Sequence, residues 1–205
     1  MKRLCIALTM LLSVAALVYG DSHEKSNKTG PEPGQKAPNF SLKNQEGKTV
    51  TLADLKGKIV VLEWFNYDCP FVKYHYENKK TMSELARKHK EKGVIWLAVN
   101  STNYATQKTN KEYAEKHNIN HAILDDSSGK VGKSYKTTNT PQMIIIHKNG
   151  NVVYNGAIDN APLGNVPDGE ELHNYVDKAL KELLSGEEVS KPKTKPYGCT
   201  VKYAR

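Results

Sequence analysis

The chain has 205 residues, of which 38% are hydrophobic, and its 30 Lys and Arg against 22 Asp and Glu give a formal net charge of +8. This apolar content is enough for a packed core, which excludes a wholly disordered chain, and the length suits one domain with tails or at most two small domains. No stretch after residue 20 is long and apolar enough to cross a bilayer, and no repeat of about 20–50 residues is present, which excludes solenoids and propellers.

The N-terminus has the pattern of an export signal. Lys2 and Arg3 precede an apolar run from Leu4 to Val18, and small residues end it at Gly20. We therefore predict a signal peptide over residues 1–20 that is cut after Gly20, and an exported protein, periplasmic or extracellular. The alternative is an uncleaved N-terminal anchor, for which the apolar run is short.

Composition divides the rest of the chain into three parts. Residues 21–33 contain no large apolar residue and are predicted to be a disordered linker. Residues 34–186 carry the periodic apolar patterns of a folded domain. Residues 187–205 form a Lys- and Pro-rich tail that carries Cys199, and we expect this tail to be irregular and mobile.

The first half of the domain predicts a hairpin, a strand and a helix in turn. Apolar residues alternate on both sides of the turn-like NQEGK, which indicates a hairpin. Residues 59–65 (IVVLEWF) form a nearly continuous apolar run that is typical of a strand buried on both faces. Pro70 opens a helix-compatible stretch that Gly93 ends, and His75 is expected on its solvated face.

The second half of the domain predicts further strands and helices. Residues 94–99, 122–124 and 143–146 are predicted strands, and Asn149-Gly150 predicts a tight turn into a strand at 152–154. A short helix over 111–117 is predicted with Asn110 as its cap, and a long amphipathic helix is predicted from a capping box at 168–171. This order indicates one α/β domain with helices on both faces of a mixed sheet.

Cys69 is the most informative residue. It follows the buried strand at 59–65 and precedes Pro70, which suits the first position of a helix. The positive end of a helix dipole favours a thiolate, which is the nucleophilic form of cysteine. Neighbouring Asp68 would oppose this if its carboxylate pointed at the sulfur. The sequence therefore predicts a reactive thiol at the end of a strand.

Several segments together resemble the thioredoxin-fold redoxin family, which includes the AhpC/TSA and TlpA-like proteins. The resemblance rests on GQKAPNFSLKNQEGKTVTLADLKGKIVVLEWF, on Cys69-Pro70-Phe71-Val72, on Thr140-Pro141 before MIII, and on HKNGNVVYNGAID. It implies a three-layer sandwich: a central mixed sheet with helices on both faces and an N-terminal β-hairpin. It also implies a catalytic Cys69, a buried acid at Glu63 that moves protons, and a cis-proline at Pro141 facing the cysteine.

The resemblance further implies a docking site for a disulfide substrate. The backbone of Thr140 would be free to pair with an incoming polypeptide. Pro70 and Phe71 are the other predicted substrate-binding residues, and an apolar rim around Cys69 is predicted from Tyr67, Phe71, Tyr74 and Tyr76. Glu63 has a plainer alternative, as an acid that is simply paired within the structure. The aromatic residues near Cys69 have one too, as packing between helix and sheet.

The chain departs from the family pattern at position 72, where Val72 stands in place of the second cysteine of Cys-x-x-Cys. Cys199 is then the only other cysteine outside the predicted signal peptide, and a flexible tail could return it to Cys69. The two residues allow a redox-active pair, a structural disulfide, or a link between two molecules. Tyr197, Val201 and Tyr203 could dock the tail on the domain.

A peroxiredoxin-like thiol peroxidase is the alternative enzyme. Peroxiredoxins resemble this domain but use Pro-x-x-x-Thr/Ser-x-x-Cys and an arginine, whereas Leu62 and Asn66 occupy the first two of these positions here. The arginines after the predicted signal are Arg87 and Arg205, neither close to Cys69 in sequence. A disulfide-stapled binding module without catalysis is the non-enzyme alternative.

Other functions have weak support in the sequence. The seven histidines form no zinc-type spacing, and no cofactor or metal is predicted. Lysines are interleaved with acids, so no nucleic-acid partner is predicted. The sequence thus predicts an exported thiol–disulfide oxidoreductase whose partners are a protein or small-molecule disulfide or thiol and an external thiol reductant, with no membrane span once the signal is removed.

Overall fold

The computed structural model describes residues 30–204. The predicted signal peptide, most of the predicted linker and Arg205 lie outside the described residues. Within residues 30–204 the chain forms nine strands: β1 Ser41–Asn44, β2 Thr49–Thr51, β3 Val60–Trp64, β4 Ile95–Asn100, β5 Ala122–Asp125, β6 Asn139–Thr140, β7 Gln142–Ile146, β8 Val152–Gly156 and β9 Cys199–Thr200.

Five α-helices accompany these strands in the described part of the chain: α1 Pro70–Lys73, α2 Thr81–Lys90, α3 Gln107–Lys116, α4 Lys130–Tyr135 and α5 Tyr175–Leu184. The short α1 continues directly into a π-helical turn, Tyr74–Asn78. Lys80 then has a left-handed backbone (φ 53°), which separates this turn from α2. The single helix predicted after Pro70 is therefore divided in two.

Seven of the strands form one mixed sheet in the order β2-β1-β5-β4-β3-β7-β8. Strands β3, β4 and β5 run parallel, while β1, β2, β7 and β8 pair antiparallel with their neighbours. The central strands β3 and β7 are buried along their whole length, which explains their continuous apolar sequences.

Alternate residues of β3 enter two separate apolar cores. Val61 and Phe65 face one core, which contains apolar residues of α2 and α5, and Val60, Leu62 and Trp64 face the other, which contains those of α4. Helices thus cover both faces of the sheet. This confirms the predicted α/β sandwich with its N-terminal hairpin, β1–β2.

Two helices begin elsewhere than predicted, because a different side chain caps each of them. Asn174 accepts a hydrogen bond from the Asp177 amide and starts α5 after the predicted capping box. Leu172, which directly follows that box, is 63% exposed and precedes the helix. Thr106 and Thr109 form a reciprocal capping box that starts α3 earlier than predicted. Asn110, the predicted cap, is buried inside that helix.

Residues 187–204, which we call the C-terminal strap, lie against the domain rather than moving freely. Asn155 of β8 pairs with Lys193, the Thr194 hydroxyl accepts from the Ala157 amide at 2.9 Å, and Val201 is buried in the core. The strap is irregular, as predicted, but these contacts hold it along the sheet edge. The predicted docking roles of Val201 and of Tyr203, whose hydroxyl donates to the Thr137 carbonyl, are confirmed.

Among residues 30–204, no helix has the length and apolar character needed to span a membrane.

Candidate active site

Cys69 lies at the start of α1, where β3 leads into the helix. It occupies the cap position, followed by Pro70 in the first turn, and its carbonyl accepts from the Lys73 amide at 2.9 Å. Its thiol donates to the Thr140 carbonyl at 3.0 Å, and only 2% of the residue is exposed. Asp68 is exposed, and its carboxylate is within hydrogen-bonding reach of the Tyr104 hydroxyl.

The C-terminal strap brings the second cysteine to the first. Strands β6 and β9 pair antiparallel, with Thr140 opposite Cys199 and Asn139 opposite Thr200. The Thr140 carbonyl that accepts from Cys69 therefore belongs to the residue that faces Cys199. Cys69 is near enough to Cys199 to contribute to the pKa of its thiol, and both cysteines are free in this structure.

The environment of Cys199 favours its thiol form. Burial raises the pKa of Cys199 to about 11, and the neighbouring Cys69 acts in the same direction, against a smaller opposing effect of Lys202. At neutral pH Cys199 is therefore a protonated partner beside the Cys69 sulfur. A base must remove its proton before it can attack another sulfur.

Tyr197 fastens the strap over the helix that Cys69 begins. Its ring packs on Phe71 with centroids 5.9 Å apart, and its hydroxyl donates to Asp159 Oδ1 at 2.6 Å and lies 2.9 Å from His75 Nε2. His75 was expected on a solvated helix face, yet it is 1% exposed. The prediction is wrong because the strap, which its Lys- and Pro-rich composition predicts to be mobile, covers this face of the helix.

Glu63 is fully buried in the centre of β3 and faces the same core as Cys69. Its Oε2 accepts hydrogen bonds from the Tyr76 hydroxyl at 2.8 Å and from Trp96 Nε1 at 3.0 Å, while its Oε1 has no hydrogen-bond partner among residues 30–204. Burial raises the pKa of Glu63 to about 7, although these two hydrogen bonds oppose the shift. The carboxyl is thus close to half-protonated at neutral pH.

A buried histidine extends this group of side chains. His121 Nε2 lies 3.0 Å from the Tyr76 hydroxyl, and burial lowers the pKa of His121 to about 3. The imidazole is therefore neutral at physiological pH, and Tyr76 links it to the Glu63 carboxyl. No local sequence pattern predicts Tyr76, Trp96 or His121 as partners of Glu63, since they come from three separate segments of the chain.

The residues predicted around Cys69 take different positions. The Thr140–Pro141 peptide bond is cis, and Thr140 contacts both cysteines. The expectation that the Thr140 backbone is free is wrong here, because β9 of the strap is paired with it. Pro70 is exposed at the helix start, and Phe71 is half-buried beneath Tyr197.

Groups associated with peroxide or metal chemistry are arranged differently. Asn66, at the Thr/Ser position of peroxiredoxins, accepts from the Cys69 amide through its carbonyl and from the Asp68 amide through its side chain. Arg87 is exposed on α2 and lines a cavity beside Trp96 and His121. Within residues 30–204, no cluster of three or more His, Cys, Asp or Glu side chains is arranged to hold a metal ion.

Comparison of amino-acid sequences identifies a family and several relatives that this chain resembles. Residues 33–155 match the AhpC/TSA family. The thiol-disulfide oxidoreductase ResA of Bacillus thuringiensis subsp. konkukian (strain 97-27) is 30% identical over 151 residues, which cover 74% of this chain and 83% of that protein. The thioredoxin-like protein YneN of Bacillus subtilis (strain 168) is 28% identical over 146 residues, covering 71% of this chain and 82% of that protein.

Solved structures share the fold. An uncharacterized conserved protein from Geobacillus kaustophilus superposes with a TM-score of 0.74 at 29% identity, covering 84% of this chain and 92% of that one. A putative thiol:disulfide interchange protein DsbE from Chlorobium tepidum superposes with a TM-score of 0.55 at 24% identity, covering 62% and 85%. The second likeness concerns the thioredoxin-like fold alone.

Proposed function

This chain belongs to the AhpC/TSA family, and from that premise we propose that it is an exported thiol–disulfide oxidoreductase in which Cys69 is the nucleophile and Cys199 the resolving thiol. The observation that supports this most strongly is the antiparallel pairing of Cys199 with Thr140, whose carbonyl also accepts from Cys69. The strap thereby supplies the second thiol that Val72 does not.

The exchange proceeds in two balanced steps. The Cys69 thiolate attacks one sulfur of a substrate disulfide, that S–S bond breaks, and the other substrate sulfur leaves as a thiolate. Cys199 then loses its proton and attacks the Cys69 sulfur. A Cys69–Cys199 disulfide forms, the second substrate thiol is released, and the substrate has gained the two electrons that the cysteines lost. An external thiol reductant restores both cysteines, and the same steps in reverse oxidise a substrate.

Glu63 is the proposed proton carrier for these steps. A carboxyl with a pKa of about 7 both accepts and gives up a proton near neutral pH, which suits the repeated protonation of thiols. The hydroxyl of Tyr76 connects Glu63 to the helical segment that begins at Cys69. If Glu63 were only a structural partner of Tyr76 and Trp96, Glu63→Gln would leave the pH dependence of exchange unchanged.

The other predicted site residues take supporting roles in this proposal. Pro141 shapes the surface opposite Cys69, and the backbone of Thr140 pairs with an extended segment, as it does with the strap. Pro70 starts the helix behind the sulfur, and Phe71 supplies an apolar contact for whatever lies over it. The substrate is a protein or small-molecule disulfide or thiol.

Variants of the two cysteines test the assignment in the full chain. Cys69→Ser should abolish exchange with a model disulfide such as oxidised glutathione, because Cys199 is kept protonated and cannot replace it. Cys199→Ser should still react once and accumulate a mixed disulfide on Cys69, which intact-mass spectrometry detects. Equal exchange by wild type and Cys69→Ser would refute the proposal.

Peptide mapping of the exported protein separates the alternatives. With and without mild reductant, we expect a reducible Cys69–Cys199 disulfide and an N-terminus at Asp21. Repeated consumption of hydrogen peroxide, with Cys69 detected as a sulfenic acid, would indicate a thiol peroxidase. A Cys69–Cys199 bond that resists reduction, without turnover, would indicate a stapled binding module.

A further inference from the structure

The strap holds Tyr197 in a cleft formed by Phe71, His75 and Asp159. His75 and Asp159 are 1% and 7% exposed, so both polar groups are shielded from water. The Tyr197 hydroxyl donates to Asp159 Oδ1 at 2.6 Å and lies 2.9 Å from His75 Nε2, which can donate to it. A hydroxyl suits this position because it gives one hydrogen bond and accepts another. The Phe71 ring favours an aromatic carrier for that hydroxyl.

The spacing between Tyr197 and Cys199 fixes how this cleft relates to the reactive sulfur. Gly198 joins the two residues, and its φ of 109° bends the chain between them. Gly198 between them passes so close to Thr140 that a Cβ atom would lie 2.1 Å from the Thr140 carbonyl oxygen. Within this segment, Tyr197 fills the cleft, Gly198 lies against the Thr140 backbone, and Cys199 lies near Cys69.

These contacts also determine what must happen before a polypeptide disulfide can react. With the strap in place, only 2% of Cys69 is exposed, so residues 197–200 must leave for a macromolecular substrate to reach the sulfur. Their departure uncovers the β6 edge, leaves His75 Nε2 without the Tyr197 hydroxyl, and leaves Asp159 Oδ1 with the Ala161 amide but without its hydroxyl donor. Unpaired polar groups are costly, so an incoming segment that replaces the lost hydroxyl is favoured.

We propose that the cleft of Phe71, His75 and Asp159 is a substrate subsite that recognises a tyrosine two residues before the reacting cysteine of a polypeptide that bends between them, as the strap does at Gly198, and that the strap occupies it between turnovers. This inference rests on the proposed function, because it requires Cys69 to exchange disulfides. It adds a specificity determinant that lies outside the two cysteines.

The test uses the full chain carrying Cys199→Ser, so that the strap cannot itself react. The substrates are peptides Lys-Pro-X-Gly-Cys-Thr-Val-Lys whose cysteine is capped with 5-thio-2-nitrobenzoate, with Tyr, Phe or Ala at X. The Cys69 thiolate attacks the peptide sulfur and forms a Cys69–peptide disulfide, its own proton passes to the buffer, and the coloured thionitrobenzoate leaves. The rate of colour release reads the exchange.

We expect the Tyr peptide to react about tenfold faster than the Ala peptide, with Phe between them, because only Tyr supplies both the ring and the hydroxyl. Adding Tyr197→Ala to the same chain removes the internal competitor, so it should speed the reaction of every peptide and retain their order. The chain with both Cys199→Ser and Tyr197→Ala therefore measures the preference among the peptides even if opening of the strap limits the rate in the Cys199→Ser chain.

Asp159→Asn tests the cleft itself, with Asp168→Asn at an exposed position as the matched control. In Asp159→Asn the Tyr peptide should slow while the Phe peptide does not, so the Tyr-to-Phe ratio falls; general damage would slow both equally. Cys69-dependent reaction at equal rates for all three peptides, in both strap variants, would overturn the subsite alone. No reaction above a Cys69→Ser/Cys199→Ser chain would overturn the proposed function and the subsite with it.

Discussion

At the scale of single residues, Glu63 shows how burial changes the chemistry of a carboxyl. In the part of the chain that the structure describes, the side chain has two donors at Oε2 and none at Oε1, so hydrogen bonding only partly compensates for the loss of water. Its nearest basic neighbour in the network, His121, is itself neutral because burial lowers its pKa. The acid therefore keeps its proton to a higher pH than an exposed glutamate would.

This burial makes a prediction for stability. The folded protein holds a proton on Glu63 up to a pKa of about 7, whereas the unfolded chain releases it near 4.5. The contribution of Glu63 to stability is thus complete below pH 4.5 and is lost as the pH rises through 7. The stability lost between acid and alkaline pH is about 3 kcal/mol. Glu63→Gln should remove that share of the pH dependence in urea unfolding at pH 4.5 and pH 9.

Wild type and Glu63→Gln both contain His121, so its contribution to the pH dependence of stability cancels in the difference between them. Glu84→Gln, an exposed glutamate on α2, is the matched control and should keep the wild-type pH dependence. If Glu63→Gln and wild type lost stability equally with rising pH, the buried carboxyl would not be the titrating group.

Sequence alone predicts part of this site. Glu63 stands in an apolar run and Cys69 stands between that run and a proline, so the burial of Glu63 and the place of Cys69 at a helix start follow from local pattern. The burial of Cys69 does not, because it depends on the strap. The partners of Glu63 do not, because Tyr76, Trp96 and His121 meet it only through the alignment of β3 with β4 and the packing of the helical turn on the sheet. The burial of His75 also depends on a distant segment, because the strap covers it.

At the scale of elements, the pairing of β6 with β9 is the contact that unites the two thiols. Gly198 has a left-handed backbone (φ 109°) and no room for a Cβ atom. Gly198→Ala should therefore break this pairing and release Cys199, raising its rate of alkylation by iodoacetamide by about tenfold. Mass spectrometry of the Cys199 peptide over time measures the rate.

Gly34→Ala is the control for backbone strain. Gly34 has a similar φ of 93°, but nothing lies within 4 Å of its would-be Cβ atom. Its substitution should leave the alkylation of Cys199 as in wild type. Identical alkylation rates in the two alanine variants would mean that Gly198 does not control the strand pairing.

The start of α5 gives a second prediction at this scale. Asn174 accepts from the Asp177 amide at 2.8 Å, so Asn174→Ala should lower the free energy of unfolding by about 1 kcal/mol. Asp168→Ala, at the cap position that the sequence favoured, should change it little because Asp168 is exposed and lies before the helix. Urea unfolding of both variants decides which residue caps α5.

The long apolar runs predict the central strands, since a strand buried on both faces is apolar along most of its length. The strap was not predictable in this way. Its composition of Lys and Pro is that of a free tail, and its attachment depends on a few side chains, such as Thr194 and Tyr197, that find partners on distant elements. Tertiary contact, not local pattern, orders it.

At the scale of the whole molecule, a Cys69–Cys199 disulfide would close a loop of about 130 residues, which restricts the unfolded chain by about 5 kcal/mol on the chain-entropy account. Because the folded protein already brings the two thiols together, the oxidised protein should be more stable than the reduced one by up to this amount. Urea unfolding with and without reductant measures the difference.

Cys199→Ser is the control, since its stability should not respond to the oxidant. An unchanged urea midpoint on oxidation of wild type, with the disulfide verified by mass, would contradict the expectation. A large difference would also mean that the free energy of unfolding changes in each turnover, as the disulfide forms and is reduced.

The position of Cys199 has a consequence for biosynthesis. A ribosome makes every strand of the seven-stranded sheet, and Cys69 with it, before it reaches residue 199. Under the proposed function, a nascent domain that has lost the predicted signal peptide, and Cys5 with it, carries Cys69 as its one thiol, and a mixed disulfide formed there has no second thiol in the chain to resolve it. Translation of Cys199 supplies that thiol.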